Sequence, residues 1–325
     1  MGALLTLFAG GRTVLEALTA PVIATDTTPV VEGCVFTVTP GTYNAAAVLT
    51  YQWTRDGEAI VGATSSTYTA VSADGQAEIA VVETATFGSQ VPITQTSNAI
   101  EVWTPAELSP TWVINPQIDI TALGDGDPVA SWAGTGITFA QATGGSRPVL
   151  EAATNSVRFD GSDDWLQAAV SGAFATALNA APFTLVLYVR LDSGVGNNDC
   201  LCGGGFDLGR ALEIIWQTGN NLAVYDSGGV VPVIAGGALP GNANFRCLVL
   251  RFLTASHVAH FDGVKVTSAT NPRLDTGGGT FYLGTRGWSP GSACPPMAIR
   301  YGAFFPSDIG EEGAANMLAW LGKRP

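Results

Sequence analysis

Three carboxylates crowd into the stretch VRFDGSDDWL, where Asp160, Asp163 and Asp164 fall within five positions after a short alternating apolar run. Carboxylates so close together have three uses. They can share a hard cation such as calcium, which takes several oxygen ligands. They can act as a catalytic pair. Or they can bond the backbone N–H groups of a tight turn, as Asp and Asn side chains do. The spacing lacks the D-x-D-x-D-G order of a known calcium loop, so turn chemistry is the expected role, with no cofactor required and calcium the one ion to consider. A second oxygen-rich loop, DSGVGNND, offers Asp192, Asn197, Asn198 and Asp199, again without that order.

The remaining chemistry is sparse. His257 and His260, three apart in a strand pattern, point to opposite faces and do not easily share a metal. No H-E-x-x-H or P-loop is present. Five cysteines show no zinc-type pairs; buried free thiols are expected, and a bridge from Cys200 or Cys202 to Cys247 or Cys294 is the alternative. For a bound sugar, the favoured tool is an aromatic face beside amide or carboxylate groups on loops. Trp288, in the Gly- and Pro-rich loop TRGWSPGSACPP, fits that role, with Arg286 and Asp207 completing the candidate ligand-binding set. Trp165 and Trp216 lie in strand patterns and are expected in the core.

The elements that must hold these residues are strands. Runs of five to nine residues rich in Val, Ile, Thr and aromatics alternate with Gly, Asp, Asn and Pro clusters, which predicts an all-β chain. Only the end, FPSDIGEEGAANMLAWLGKRP, reads as a helix, with Ser307 as N-cap, Asp308, Glu311 and Glu312 in the first turns, and Ile309, Met317, Leu318 and Leu321 along one face. In FTLVLYVRL, Phe183, Leu185, Leu187, Val189 and Leu191 share a core-facing side. Asp56-Gly57 and Asp262-Gly263 are hairpin turns. The order divides the chain into an arm over 1–19, a small β-sandwich over 20–103 and a larger β domain over 104–325, joined by the proline-bearing EVWTPAELSPTWVINP.

Composition narrows the partners. With 325 residues, 46% hydrophobic, 13% charged, and 14 Lys+Arg against 27 Asp+Glu for a net charge of −13, the chain has no basic stripe. Nucleic acid and anionic membrane surfaces are therefore excluded as partners. No apolar run reaches spanning length, so membrane insertion is not expected. The start, MGALLTLFAGG, lacks the basic n-region of a secretory signal, and Gly10 and Gly11 break its apolar run. It reads instead as an apolar arm, with Leu4, Leu5, Leu7 and Phe8 as attachment residues for the body of the protein or a neighbouring subunit, and a weak match to a myristoylation start.

Two resemblances follow from these motifs. YQWTRDGEAIVGATSSTYT resembles the immunoglobulin-like repeats of bacterial surface and phage virion proteins; this implies that Trp53 is the core tryptophan and Cys34 an unpartnered half of the usual disulfide. The order RPVL…VRFDGSDDWL…FTLVLYVRL…HFDGVKV…YLGTR…IRYGAFFPSDIGEEGAANMLAWL is similar to concanavalin A-like, laminin-G-type jelly rolls. In that family Asp160 and Gly161 make a bend and Leu166 returns to the core. Some members bind calcium, and its glycosidases commonly carry E-x-D-x-E on one strand, a pattern missing here. Together the two domains resemble adhesive and decorating parts of phage virions. The resemblance implies a non-enzymatic, homo-oligomeric virion component made in the host cytoplasm, attached to other virion subunits by its arm and binding host surface glycans. A bacterial surface adhesin and a glycan-cleaving enzyme are the alternatives.

Overall fold

A computed structural model describes residues 14–179, 182–192, 199–206, 210–217, 221–226, 229–234, 244–254, 256–261, 264–268, 279–285, 291 and 294–323. The chain forms two compact units, one running up to Glu107 and the other spanning Leu108–Lys323.

The first unit is a small antiparallel β-sandwich. One sheet pairs Val22–Thr25, Val35–Thr39 and Thr67–Thr69. The other is built on the long antiparallel pair Val48–Arg55 and Glu78–Thr86. Alternation puts Phe36, Val38, Trp53, Ile79 and Val81 between the sheets, where large apolar residues fill the gap. Trp53 is fully buried, lies 5.6 Å from the Tyr68 ring, and donates its Nε1–H to the Ser65 carbonyl at 2.9 Å, so it belongs to the core. Asp56 and Gly57 both adopt positive φ, 49° and 83°, as a type I′ hairpin turn requires.

The second unit is a sandwich of two eight-stranded antiparallel sheets. In the first, Ser156–Asp160, Pro296–Phe305, Phe183–Leu191, Arg246–Phe252 and His257–Phe261 are successive neighbours. In the second, Ile137–Ala140, Leu166–Ala169, Thr280–Leu283, Cys200–Phe206 and Arg210–Gln217 run side by side. An aromatic layer of Trp112, Phe139, Phe174, Phe281 and Phe304 packs between them, with centroid separations of 4.7–6.3 Å, in the range where edge and offset contacts add to area burial.

Four local expectations are revised. The strand Phe183–Leu191 is buried on both faces, since Thr184 and Val186 are as inaccessible as Phe183 and Leu185. The reason is the C-terminal segment: the Thr184 hydroxyl donates to the Ser307 carbonyl and accepts from the Ile309 N–H, while Trp320 packs edge-on against Tyr301 at 5.1 Å. That helix spans Gly310–Gly322 and Ser307 does not cap it; Asp308 accepts from the Gly310 N–H instead and also takes both arms of the buried Arg251 guanidinium at 2.6 and 2.9 Å. It is not the only helix either, because Gly172–Asn179 forms one and buries Phe174 and Leu178. The stretch read as a linker ends in a strand, Trp112–Ile114, paired with Gly302–Phe304, which makes Trp112 part of the core.

All five cysteines are buried and unbridged. Burial pushes the Cys294 thiol up to about 11, which keeps it protonated and poorly nucleophilic at neutral pH.

Candidate functional site

The loop Gly161–Trp165 joins two strands that belong to different sheets of the sandwich, Ser156–Asp160 and Leu166–Ala169. Such a crossing needs a tight bend, and Gly161 supplies it with φ of 85°, a conformation costly for residues with a Cβ. A Cβ at that position would also meet the Pro296 ring at 2.8 Å. Leu166 re-enters the core, fully buried.

Each carboxylate of the cluster has a hydrogen-bond partner, within the turn for Asp160 and Asp164 and on the 144–146 loop for Asp163. Asp160 accepts from the Ser162 N–H at 2.7 Å, Asp163 from the Ser146 hydroxyl at 2.9 Å, and Asp164 from the Asp160 N–H at 2.8 Å. The expected turn chemistry is therefore present. The structure also brings the three together: one carboxylate oxygen from each lies within 4.8 Å of the others, with Asp160 and Asp163 exposed and Asp164 buried. Oxygens at that spacing suit a hard cation. Burial first, and the negative neighbours Asp160 and Asp163 in addition, push the Asp164 carboxyl up to about 6.

A raised carboxyl has a signed consequence for stability. The folded chain holds the Asp164 proton up to about pH 6, whereas a free Asp releases it near pH 4, so this group's contribution falls as pH rises through that window. Asp164→Asn keeps an oxygen for the Asp160 N–H and removes the charge. It is expected to melt above the parent at pH 7.5, by an amount of order 1–3 kcal/mol, and level with it at pH 4. Equal melting at both pH values would contradict the buried charge. Repeating the scan with added calcium tests the cation: stabilisation of the parent and not of the variant would show that the three carboxylates hold it.

Beside the carboxylates stands an aromatic pair. Trp165 is half-buried, not part of the core, and its ring centroid lies 5.6 Å from that of Tyr282, tilted by 54°. Tyr282 faces outward because its neighbours Phe281 and Leu283 face the core, and the strand register sets it directly across from the exposed Gln167. The backbone of Trp165 is tied to the preceding loop, its N–H donating to the Ser146 carbonyl at 3.2 Å. Arg147 holds that loop's shape by donating to the Gln141 and Ala142 carbonyls. Gly291 is anchored by its N–H to the buried Thr285 hydroxyl, and a Cβ added there would meet the Trp165 indole nitrogen at 3.8 Å. The result is two rings bordered by Asp163, Ser146 and Gln167, with three loops converging on them.

The other candidates separate from this group or cannot be placed. Trp288, Arg286 and Asp207 lie outside the described residues, as do Leu4, Leu5, Leu7, Phe8, Asn197, Asn198 and the Asp262-Gly263 turn; the side chain of Trp216 is likewise not described. Asp192 is engaged by Arg190 at 2.7 Å. His257 and His260 are buried, His260 with Nε2 3.7 Å from Glu311 on the C-terminal helix. Sequence reasoning missed Tyr282, and it placed Trp165 in the core. Parity held the signal: in TFYL the middle Tyr alternates against Phe281 and Leu283, and Trp165 directly precedes the core residue Leu166.

No protein-family profile and no curated protein sequence matches the chain. Solved structures do. Trypanosoma rangeli sialidase in complex with 2,3-difluoro-KDN aligns with a TM-score of 0.51 at 9% identity, covering 90% of this chain and 49% of the sialidase. The same sialidase as its 2,3-difluorosialic acid covalent intermediate gives 0.50 at 10% identity, covering 76% and 43%. Domain 4 of AbnA, an extracellular arabinanase from Geobacillus stearothermophilus, in complex with arabinotriose, gives 0.41 at 13% identity, covering 64% and 98%. The chain spans about half the length of the sialidases it matches. The two sialidase alignments show a shared β fold, and they correct one expectation. The chain was read as non-enzymatic because it lacks E-x-D-x-E, yet the structures that share its fold include a glycan-cleaving enzyme; the missing pattern excludes one arrangement of carboxylates and not glycoside chemistry as such.

Proposed function

We propose that the second unit recognises a glycan at the Trp165–Tyr282 face. The observation that carries this reading is an aromatic pair left half-exposed on the outer face of a sheet, Tyr282 on an inner strand and Trp165 just before the neighbouring strand, with the Asp163 carboxylate, the Ser146 hydroxyl and the Gln167 amide on the adjoining turn, loop and strand. Sugar rings present C–H faces to aromatic side chains and hydroxyls to such acceptors and donors, and a site on strands holds its geometry better than one on loops alone. The finer setting, an adhesive phage virion component or a bacterial surface adhesin, rests on the sequence motifs, and either would gain avidity from many copies.

A glycan array probed with the full chain, followed by titration of the retained sugar, tests the site. Trp165→Ala and Tyr282→Ala are each expected to weaken binding tenfold or more, about 1.4 kcal/mol, without altering the melting temperature appreciably. Unchanged affinity in both variants would sink the assignment.

A second reading is favoured by the carboxylates. Retaining glycoside hydrolysis places its two carboxyl groups about 5 Å apart, one protonated as the acid and one ionised as the nucleophile. Asp164, whose carboxyl is raised to about 6, and the exposed Asp163 bring carboxylate oxygens within 4.8 Å of one another, near that spacing. Release of a reducing sugar that disappears in Asp163→Asn and Asp164→Asn, with binding retained, would establish cleavage; binding without release in the parent would leave recognition alone.

A further inference from the structure

The first sheet of the second unit carries an irregularity at Arg300. Tyr188 pairs with Tyr301, but the next residue, Val189, pairs with Ile299, so Arg300 is an extra residue, a β-bulge. Its effect shows on either side: Ile299 belongs to the core, while Tyr301 packs on Trp320 of the C-terminal helix. In unbroken alternation those two positions would share a face. A bulge re-aims the side chain it carries. Here the Arg300 guanidinium lies over the Phe245 ring, 5.3 Å from its centroid, and hydrogen-bonds the Tyr188 hydroxyl. The Tyr188 and Phe245 rings are themselves in contact at 5.5 Å.

The charges around Arg300 are paired off. Arg190 donates to Glu151 at 2.8 Å and to Asp192 at 2.7 Å, and Arg158 reaches Asp192 at 3.4 Å. Two guanidinium groups thus balance two carboxylates. Arg300 is left over: it is half-buried, and among the described residues no carboxylate lies within ion-pair distance of it. Burial lowers its pKa from the usual arginine value, and only the Tyr188 hydroxyl opposes that. Taking a charge out of water without a counter-charge is costly. In a chain with 27 Asp+Glu against 14 Lys+Arg, a carboxylate partner would be the easiest to supply from within. A bulge that presents an arginine without one points to a counter-charge brought by a ligand.

We propose that Arg300, the Tyr188 hydroxyl and the Phe245 ring form a binding site for a carboxylate ligand, on the sheet opposite to the Trp165–Tyr282 face. The planar guanidinium fork matches a planar carboxylate through two parallel hydrogen bonds, and stacking on Phe245 holds the fork in place. One unbalanced cation suits one negative charge. A phosphate monoester, carrying about −1.5 to −2 at neutral pH, would be repelled more strongly by Glu151 and Asp192, which are held by the Arg190 that shares the Phe245 ring at 5.4 Å.

Saturation-transfer NMR on the full chain at low ionic strength tests the site with three probes that differ only at one carbon: D-glucuronate, D-glucose and D-glucose 6-phosphate. Glucuronate is expected to bind in the millimolar range, about tenfold more tightly than glucose and more tightly than the phosphate ester. Arg300→Gln should remove that preference, and Arg300→Lys, which keeps the charge without the fork, should weaken it several-fold. Trp165→Ala should leave it unchanged, which separates this site from the glycan face. A preference that survives Arg300→Gln, or no preference in the parent, would overturn the proposal, and tighter binding of the phosphate ester would overturn its assignment to a carboxylate. Melting separates a ligand role from a structural one. Arg300→Met strands no carboxylate and should melt level with the parent, whereas Arg190→Met strands Glu151 and Asp192 and should melt well below it. An equal fall in both variants would assign Arg300 to the packing of the sheet and contradict the site.

Discussion

Trp112→Ala is expected to destabilise the second unit by about 4 kcal/mol, the upper part of the range for emptying a buried aromatic site. The indole is 1% exposed and touches Phe139, Phe174, Phe281 and Phe304, residues drawn from both sheets and the Gly172–Asn179 helix. Those neighbours are themselves interlocked, Phe174 lying 4.7 Å from Phe304, so the site cannot collapse easily around a methyl group. Trp112→Phe makes an informative companion. The indole Nε1 is buried without a hydrogen-bond partner among the described residues, and an orphan donor of that kind costs about 1–3 kcal/mol. Phenylalanine loses contact area but sheds the orphan, so it should fall within about 1 kcal/mol of the parent. Urea unfolding monitored by far-UV circular dichroism measures both. A shift under 1 kcal/mol for the alanine variant would mean that Trp112–Ile114 does not pair with Gly302–Phe304.

That strand also shows where the sequence was readable and where it was not. Strict alternation and Asp-Gly turns made the β class, the Val48–Arg55 hairpin and the core role of Trp53 legible, because those signals are local. Trp112–Ile114 has three residues and sits among prolines, and only its pairing with a strand about 190 positions away makes it part of a sheet. The same holds for Thr184 and Val186: alternation assigns them to solvent, and only the returning C-terminal segment buries them. At the site, the three carboxylates and their turn were visible from spacing alone. Trp165 was not, since a tryptophan beside a core leucine is ambiguous until the position where the strand begins, and hence its parity, is known.

The first unit has its own point of greatest sensitivity. Asp74 is fully buried and collects three donors, Arg55 Nε, the Tyr68 hydroxyl and the Val71 N–H, each at 2.7 Å. Arg55 ends a strand of one sheet and Tyr68 lies in a strand of the other, so the carboxylate ties the two sheets together. Asp74→Ala strands a buried hydroxyl and a backbone N–H and is expected to cost about 3 kcal/mol; Arg55, a third exposed, recovers part of its loss from water. Asp74→Asn should lie between the parent and the alanine variant, because its amide oxygen can still accept while its NH₂ meets donors. Tyr68 reports on the same contact. Burial, reinforced by the hydrogen bond to Asp74, raises its hydroxyl to about 12. A free tyrosine ionises near pH 10, so the folded state retains a proton that the unfolded state gives up, and stability falls as pH rises from about 10 to 12. Tyr68→Phe should flatten that alkaline loss at a cost of about 1 kcal/mol at neutral pH. Amide exchange over residues 67–82 follows each variant at the place where the sheets are joined; protection unchanged in Asp74→Ala would show that the packing of Trp53, Phe36 and Ile79 alone holds them.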